Sequence, residues 1–317
     1  MSPRQGKRRP HRATPKGASK GAPKPAAVGE LPPYLERLGV RPRKALGQHY
    51  LIDELALGDI AAAAVVDGID TVLEVGAGPG GLTEELLGRF KRVVAIELDE
   101  ELAALTRGRL EGWAGLTVIA ADILDFEPGE LLEEAGASAP YVVAGNLPYY
   151  ITQPIVRRLL EADPAPVRIV VMVQREVARR MVGGAGRESL LSMAIKFRGV
   201  PRPLFDVPSS SFWPAPKVES AVVAIDRLAA PPVAIGAEEE EAFFHLLRAG
   251  FASPRKQLHN ALPGALGLSD EAVRAALVAA GLDPAERPQH LELADWERLY
   301  RAIEERHPGA LAIEGGA

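Results

Sequence analysis

The chain of 317 residues contains no cysteine, so no disulfide staples it and no thiolate holds a metal. A cysteine-free chain fits a reducing, cytoplasmic setting, and no metal site is expected. It also lacks any run of about 18 apolar residues, the length a membrane-spanning helix requires, so no membrane association is expected. Residues 1–29 hold no Asp or Glu, and no apolar segment follows their basic residues, which argues against a secretory leader. Neither an internal repeat nor a heptad pattern is present, which excludes a solenoid and a coiled coil.

What the chain does have is charge sorted along its length. Arg4, Lys7, Arg8, Arg9, Arg12, Lys16, Lys20 and Lys24 give residues 1–29 a charge of +8, although the whole chain stands at −5. The remainder is therefore acidic. A segment rich in Pro, Gly and Lys cannot bury a core and is expected to be disordered. It reads either as a phosphate-seeking arm or as a solvating tail.

The body begins near Glu30. Asp53–Val66 is predicted as a helix capped by Asp53. Residues 70–76 form a buried strand that ends in a glycine turn, and Leu82–Leu87 opens the next helix. Strand-like runs recur at Arg92–Ile96, Leu116–Ala120, Tyr141–Ala144 and Val167–Val173, with helices such as Glu100–Leu110 and Thr152–Leu160 between them. This alternation predicts an α/β parallel sheet covered on both faces. Val218–Ile225 follows the Pro-rich stretch Pro208–Pro216 with no room for a crossover helix, so it should pair antiparallel. Residues 229–237 look like a linker. Beyond it the patterns are helical: Glu238–Ala249, Pro254–Leu262, Ser269–Ala279 and Leu293–Glu304. The expected organisation is a basic tail (1–29), a catalytic domain (30–228), a linker (229–237), a small all-helical domain (238–308) and a short tail (309–317).

Between a strand and a helix lies Glu74-Val-Gly-Ala-Gly-Pro-Gly-Gly81. Small residues there let a ligand approach the backbone at the carboxyl end of the sheet. Gly76, Gly78 and Gly81 also satisfy G-x-G-x-x-G, and Glu97 stands where a ribose-binding acid belongs, so a nicotinamide dinucleotide fits this segment too. Two acids tilt the choice. Glu74 suits a ligand with a positive group, such as a methionine ammonium, and would repel a pyrophosphate. Asp122, just after the third strand, can accept from an adenine amino group.

Asn146-Leu147-Pro148-Tyr149 follows the fourth strand and carries the most specific chemistry. The exocyclic amino group of adenine is a poor nucleophile because its lone pair is delocalised. Two acceptors, the Asn146 side-chain oxygen and the Leu147 carbonyl, can orient that group and stabilise positive charge as it develops on nitrogen. Pro148 fixes the turn, and Tyr149 offers a face for an extruded base. An ordinary strand-end turn is the competing reading.

With these segments in place, the sequence resembles the ribosomal RNA adenine dimethyltransferase family, in its bacterial small-subunit branch. The likeness runs from about Arg41 to Leu299. It includes Leu46–Leu51, Glu74–Thr83, Glu97–Asp99, Asn146–Ile151, Gln174–Val177, Phe212–Ser220 and Phe251–Asn260. The resemblance implies a Rossmann-like, seven-stranded S-adenosylmethionine methyltransferase sheet with a small all-helical C-terminal domain. It implies dimethylation of two adjacent adenines near the 3′ end of small-subunit (16S) rRNA, a step in ribosome biogenesis, by a cytoplasmic monomer. It places His49, Leu51, Gly76, Glu97, Asp122 and Asn146 at the cofactor, alongside Glu74 and Gly78 of the glycine segment. It places Asn146, Leu147, Pro148 and Tyr149 at the target base, with Phe212 on the other face. The sequence departs from the family at His49-Tyr50, where Asn-Phe is usual, and at Tyr150, where Asn or Asp is common. It departs again at Pro254 and His259, where Arg is usual.

Arg43, Lys44, Arg255 and Lys256 are candidate RNA contacts. The arginines at 175, 179, 180 and 187 form a further basic cluster that reads equally well as a solvated helix face. Three other functions stay open on sequence: a large-subunit rRNA methyltransferase of the antibiotic-resistance type, a non-catalytic ribosome-assembly factor, and a nicotinamide oxidoreductase.

Overall fold

The computed structural model describes residues 33–43 and 47–312. The basic segment 1–29, Lys44 and the last residues of the C-terminal tail lie outside it. In chain order the elements are α1 (Pro33–Arg37), β1 (Tyr50–Leu51), α2 (Glu54–Ala64), β2 (Thr71–Val75), α3 (Gly81–Leu87), β3 (Arg92–Glu97), α4 (Glu100–Arg109) and β4 (Leu116–Ala120). They continue with α5 (Pro128–Glu134), β5 (Val142–Asn146), α6 (Thr152–Glu161), β6 (Arg168–Gln174), α7 (Arg175–Val182), α8 (Leu190–Arg198), β7 (Gly199–Val207), β8 (Phe212–Trp213) and β9 (Ser220–Arg227). Helices α9 (Glu240–Phe251), α10 (Leu258–Leu266), α11 (Asp270–Ala279) and α12 (Leu293–Arg306) complete the described chain.

Seven strands form one sheet in the order β4-β3-β2-β5-β6-β9-β7. The first five are parallel, and β9 runs antiparallel to both β6 and β7. The strand expected at Val218–Ile225 is therefore antiparallel as predicted. Strand β7 was not foreseen, because Pro201 and Pro203 each remove a ladder donor. It survives as the rim strand, with a register shift between Pro203 and Phe205, which is where a proline-bearing strand is tolerated. Successive strands from β2 step one way to β3 and β4, and the chain then returns to place β5 and β6 on the other side. The carboxyl ends of β2 and β5 thus diverge at a topological switch point, the usual mouth of a ligand crevice in such sheets.

Alternating side chains build the two covered faces. Leu73, Val143 and Val171 pack on α6 through Ile155, Val156 and Leu159. Val72, Val142 and Val170 pack on α2 through Ile60, Ala61 and Ala64. Helix starts are set by side-chain caps. Asp53 Oδ1 accepts from the Leu55 and Ala56 amides, Asp99 caps α4, and Ser269 caps α11.

The C-terminal helices close around Phe243, Trp296, Leu299 and Ile303, and this core also takes in Met193 and Phe197 from α8. Val233 and Ile235, in the stretch read as a linker, are buried in it too. Arg198 stacks on Phe197 and Phe244 and pairs with Glu240. The helical unit is thus fastened to the sheet domain through α8, and Val233 and Ile235 tie the stretch 229–237 to the same core.

Candidate active site

A cavity opens at the carboxyl ends of β2, β3 and β5, roofed by residues 47–51. The roof is stapled down by the short pair β1–β8, in which Leu51 faces Phe212 and Tyr50 faces Trp213. Gln48 braces it: its Oε1 accepts from the Arg43 amide (2.7 Å) and the Tyr50 hydroxyl (2.8 Å), and its Nε2 donates to Asp99 (3.4 Å). Of the residues expected at the cofactor, His49, Leu51, Gly76, Gly78, Glu97, Asp122 and Asn146 all line this one cavity.

The glycine loop is held from outside as well as by its own backbone. The amides of Gly76 and Ala77 both donate to the Ile96 carbonyl. Gly78 has φ +54° and Gly80 φ +83°, a region that favours glycine. A Cβ at Gly80 would lie 2.9 Å from Arg109 Nη2 and 3.0 Å from Thr106 Cγ2. From α4, Thr106 donates to the Gly78 carbonyl (2.7 Å) and Arg109 donates to the Gly80 carbonyl. No sequence motif marks Thr106 or Arg109; their three-residue spacing on one helix face is the only signal.

Glu97 is buried, and both its oxygens accept backbone donors: Oε2 from Gly78 (2.8 Å) and Oε1 from Asp99 (3.0 Å). Burial raises its pKa, against the pull of those two N–H groups. Asp122 takes the Leu124 amide on one oxygen (2.9 Å), and its other oxygen has no described partner. No Lys or Arg is among the described residues that line the cavity.

Glu74 takes a different place from the one expected. It does not line the cavity; it is fully buried behind the glycine loop, in the company of Thr83 and Arg109. Alternation along β2 turns Glu74 away from the face that Leu73 and Val75 occupy. Among the described residues no donor completes either of its oxygens. Burial, with Glu97 adding, pushes its pKa up to about 8, while Thr83 and Arg109 oppose the rise. A carboxyl raised in the fold binds a proton that the unfolded chain has released. Its contribution to stability is therefore full below the ordinary carboxylate range and is lost as pH rises through about 8. Glu74→Gln stays neutral throughout. Its unfolding midpoint should therefore gain on the wild type as pH rises from 5 to 9, and a constant difference across that range would contradict this.

Asn146 ends β5. Its Nδ2 donates to the His49 carbonyl (3.3 Å), which leaves Oδ1 as an open acceptor in the cavity. The Leu147 amide donates to Met172 (3.1 Å), and among the described residues no donor reaches the Leu147 carbonyl. The Pro148 carbonyl accepts from Ile151 (3.3 Å) and from the Thr152 hydroxyl (3.0 Å), locking the turn into α6. Gly145 permits the approach of the two strand tips, because a Cβ there would sit 2.5 Å from the Val75 carbonyl. Gly145→Ala should therefore destabilise the fold by about 1–3 kcal/mol, as overpacking does, and displace Asn146. An unchanged unfolding midpoint with full activity would refute that.

Tyr149 lines the cavity with its hydroxyl tied to Ser220 Oγ (2.7 Å); burial raises its pKa. The His49 ring lies nearly parallel to it, with centroids 6.0 Å apart and planes at 22°. His49 Nδ1 is fixed on the Pro214 carbonyl (2.6 Å). Phe212 is buried at 3% exposure in the hydrophobic layer with Leu51 and does not line the cavity. Phe212 thus sits beneath the roof, paired with Leu51, and His49 is the ring that faces Tyr149.

The basic candidates are dispersed. Arg43 bridges Asp99 (3.2 Å) and Glu101 (2.9 Å), while Lys44 lies outside the described residues. Arg255 and Lys256 are exposed on the turn between α9 and α10. His259, where the family usually has Arg, is buried, its Nδ1 bonded to the Pro284 carbonyl (2.7 Å). Arg175 is paired with Glu219, and Arg179, Arg180 and Arg187 are exposed.

Fold and crevice together are those of a Rossmann-like methyltransferase. Over residues 39–305 the chain matches the family described as ribosomal RNA adenine dimethylase. Ribosomal RNA small subunit methyltransferase A from Dehalococcoides mccartyi is 42% identical over 276 residues, covering 87% of this chain and 93% of the relative. The protein of the same name from Geobacter sulfurreducens is 38% identical, covering 84% and 96%. Among solved structures, the 23S rRNA methyltransferase ErmE superposes with a TM-score of 0.65 at 29% identity, over 80% of this chain and 99% of that one. A dimethyladenosine transferase from Plasmodium falciparum superposes at 0.64 with 24% identity, a likeness of fold. The chain belongs to the ribosomal RNA adenine dimethylase family. Among its described residues no helix is long and apolar enough to cross a membrane.

Proposed function

We propose that this protein uses S-adenosylmethionine to dimethylate N6 of two adjacent adenines near the 3′ end of small-subunit rRNA. It does so as a cytoplasmic monomer during small-subunit biogenesis. The observation that carries the reading is the anchoring of Asn146: with Nδ2 spent on the His49 carbonyl, its oxygen and the free Leu147 carbonyl form a paired acceptor for one amino group.

The cavity fits the cofactor by its donor set. Glu97 and the second oxygen of Asp122 are acceptors for a ribose diol and an adenine amino group, and Ile96, Leu98 and Ile123 offer an apolar slot for the ring. A pyrophosphate would face two carboxylates with no described cation in the wall, which disfavours the nicotinamide reading. When bound, S-adenosylmethionine supplies an electrophilic methyl on a positive sulfur. Asn146 Oδ1 and the Leu147 carbonyl hold the two amino hydrogens, keep the nitrogen lone pair directed into the cavity, and stabilise positive charge as it grows on nitrogen. Tyr149 supports the face of the base. The surplus proton leaves after transfer, so no side-chain base has to precede it.

The small subunit is favoured over the large by the 42% identity to a small-subunit enzyme, against 29% to the 23S enzyme ErmE. The test is labelled methyl transfer to unmethylated small and large subunits, with calorimetry of S-adenosylmethionine and NAD alongside. Label in the small subunit and binding of the sulfonium cofactor alone are expected. Label confined to the large subunit, or binding of NAD, would refute the reading.

A further inference from the structure

Three aromatic side chains among the described residues are exposed, Trp113, Phe126 and, most of all, Tyr150. Of these, Tyr150 alone lines the cavity. It is 57% exposed, so it contributes little to the core, and no described group bonds its hydroxyl. By contrast Tyr50, Tyr141 and Tyr149 all have bonded hydroxyls. The ring stands at the rim, alongside Gly47, where a Cβ would come within 3.7 Å of Tyr150 Cδ1. It directly follows Tyr149, whose ring is fixed inside by Ser220. The two tyrosines thus present one ring within the cavity and one at its mouth, next to Asn146 in the chain.

A base turned into the cavity leaves the face of its neighbour in the strand unstacked, at a cost of a few kcal/mol. A ring at the mouth can restore that stacking for any base. We infer that Tyr150 is the platform on which the nucleotide adjoining the target adenine stacks; the inference rests on the RNA-methylating reading above. With two adjacent target adenines, the nucleotide held there is the next substrate. Tyr150 thereby links the first modification to the second.

Tyr150→Ala should raise KM for unmethylated small subunits about tenfold, in the range expected for loss of one base–aromatic stack. It should leave kcat and the Kd for S-adenosylmethionine within about twofold, and Tyr150→Phe should restore KM. A second readout is independent of turnover. A short RNA carrying two adjacent adenines, the second replaced by fluorescent 2-aminopurine, is bound to the full chain with S-adenosylhomocysteine. Quenching by the wild type and by Tyr150→Phe, but not by Tyr150→Ala, is the expected result. Equal quenching and equal KM in wild type and Tyr150→Ala would overturn the inference while leaving the methylation reading intact. Failure of the wild type to transfer methyl to small subunits would remove that reading and the inference with it.

Discussion

Asn146→Ala should lower kcat for methyl transfer on the order of 10²–10³-fold, the usual effect of deleting one group that stabilises charge developing at a reacting atom. The loss should fall on kcat, because the acceptor matters most when the amino nitrogen becomes positive. S-adenosylmethionine affinity should change by less than about tenfold, since Glu97 and the glycine loop remain. Asn146→Asp gives a sharper comparison. It keeps an acceptor facing the amino group but turns a second oxygen toward the His49 carbonyl, which now receives the Nδ2 proton. Repulsion there should rotate the side chain, so Asp should not rescue. Single-turnover kinetics on unmethylated small subunits, with calorimetry for the cofactor, separates the two effects. Wild-type kcat in Asn146→Ala would contradict the assigned role.

The second large effect is expected at Glu97. Its carboxylate is the partner of both the Gly78 and Asp99 amides, so it shapes the loop as well as lining the cavity. Glu97→Ala leaves two backbone donors unpaired, at about 1–3 kcal/mol each, and removes the acceptor expected for the ribose. S-adenosylmethionine should bind at least about 100-fold more weakly, with a lower unfolding midpoint in the absence of cofactor. Glu97→Gln should fall between. Its amide has one acceptor oxygen, so its NH2 must face one of the two donors. Equal affinity in wild type and Glu97→Ala would show that the acid serves the loop alone.

Much of this was legible in the sequence because local chemistry and global fold agree. Asp53 announced a helix start and provides it. The Glu74–Gly81 segment marked the first crevice loop, and Glu97 and Asn146 each ended a strand while Asp122 closely followed one, so parallel order brought them to one rim. What escaped was set by tertiary context. Prolines 201 and 203 hid a strand that is stable only at a sheet edge. Strand parity buried Glu74 behind the loop it was expected to serve in front. Phe212 pairs across from Leu51 in a two-residue ladder, a partner 161 positions away in the chain that no local pattern could specify. Thr106 and Arg109 hold the glycine loop from a helix whose sequence reads as an ordinary solvated surface. The helical unit was foreseen, but its attachment through Met193 and Phe197 was not, because α8 precedes two strands of the sheet.

The most direct measurement is a crystal structure of the full chain with S-adenosylhomocysteine and an RNA fragment bearing the adjacent adenines. Asn146 Oδ1 and the Leu147 carbonyl should both lie within about 3 Å of one adenine N6, with that base against Tyr149 and the Asn146 amide still on the His49 carbonyl. A base bound elsewhere, or an Asn146 side chain turned from the amino group, would contradict it.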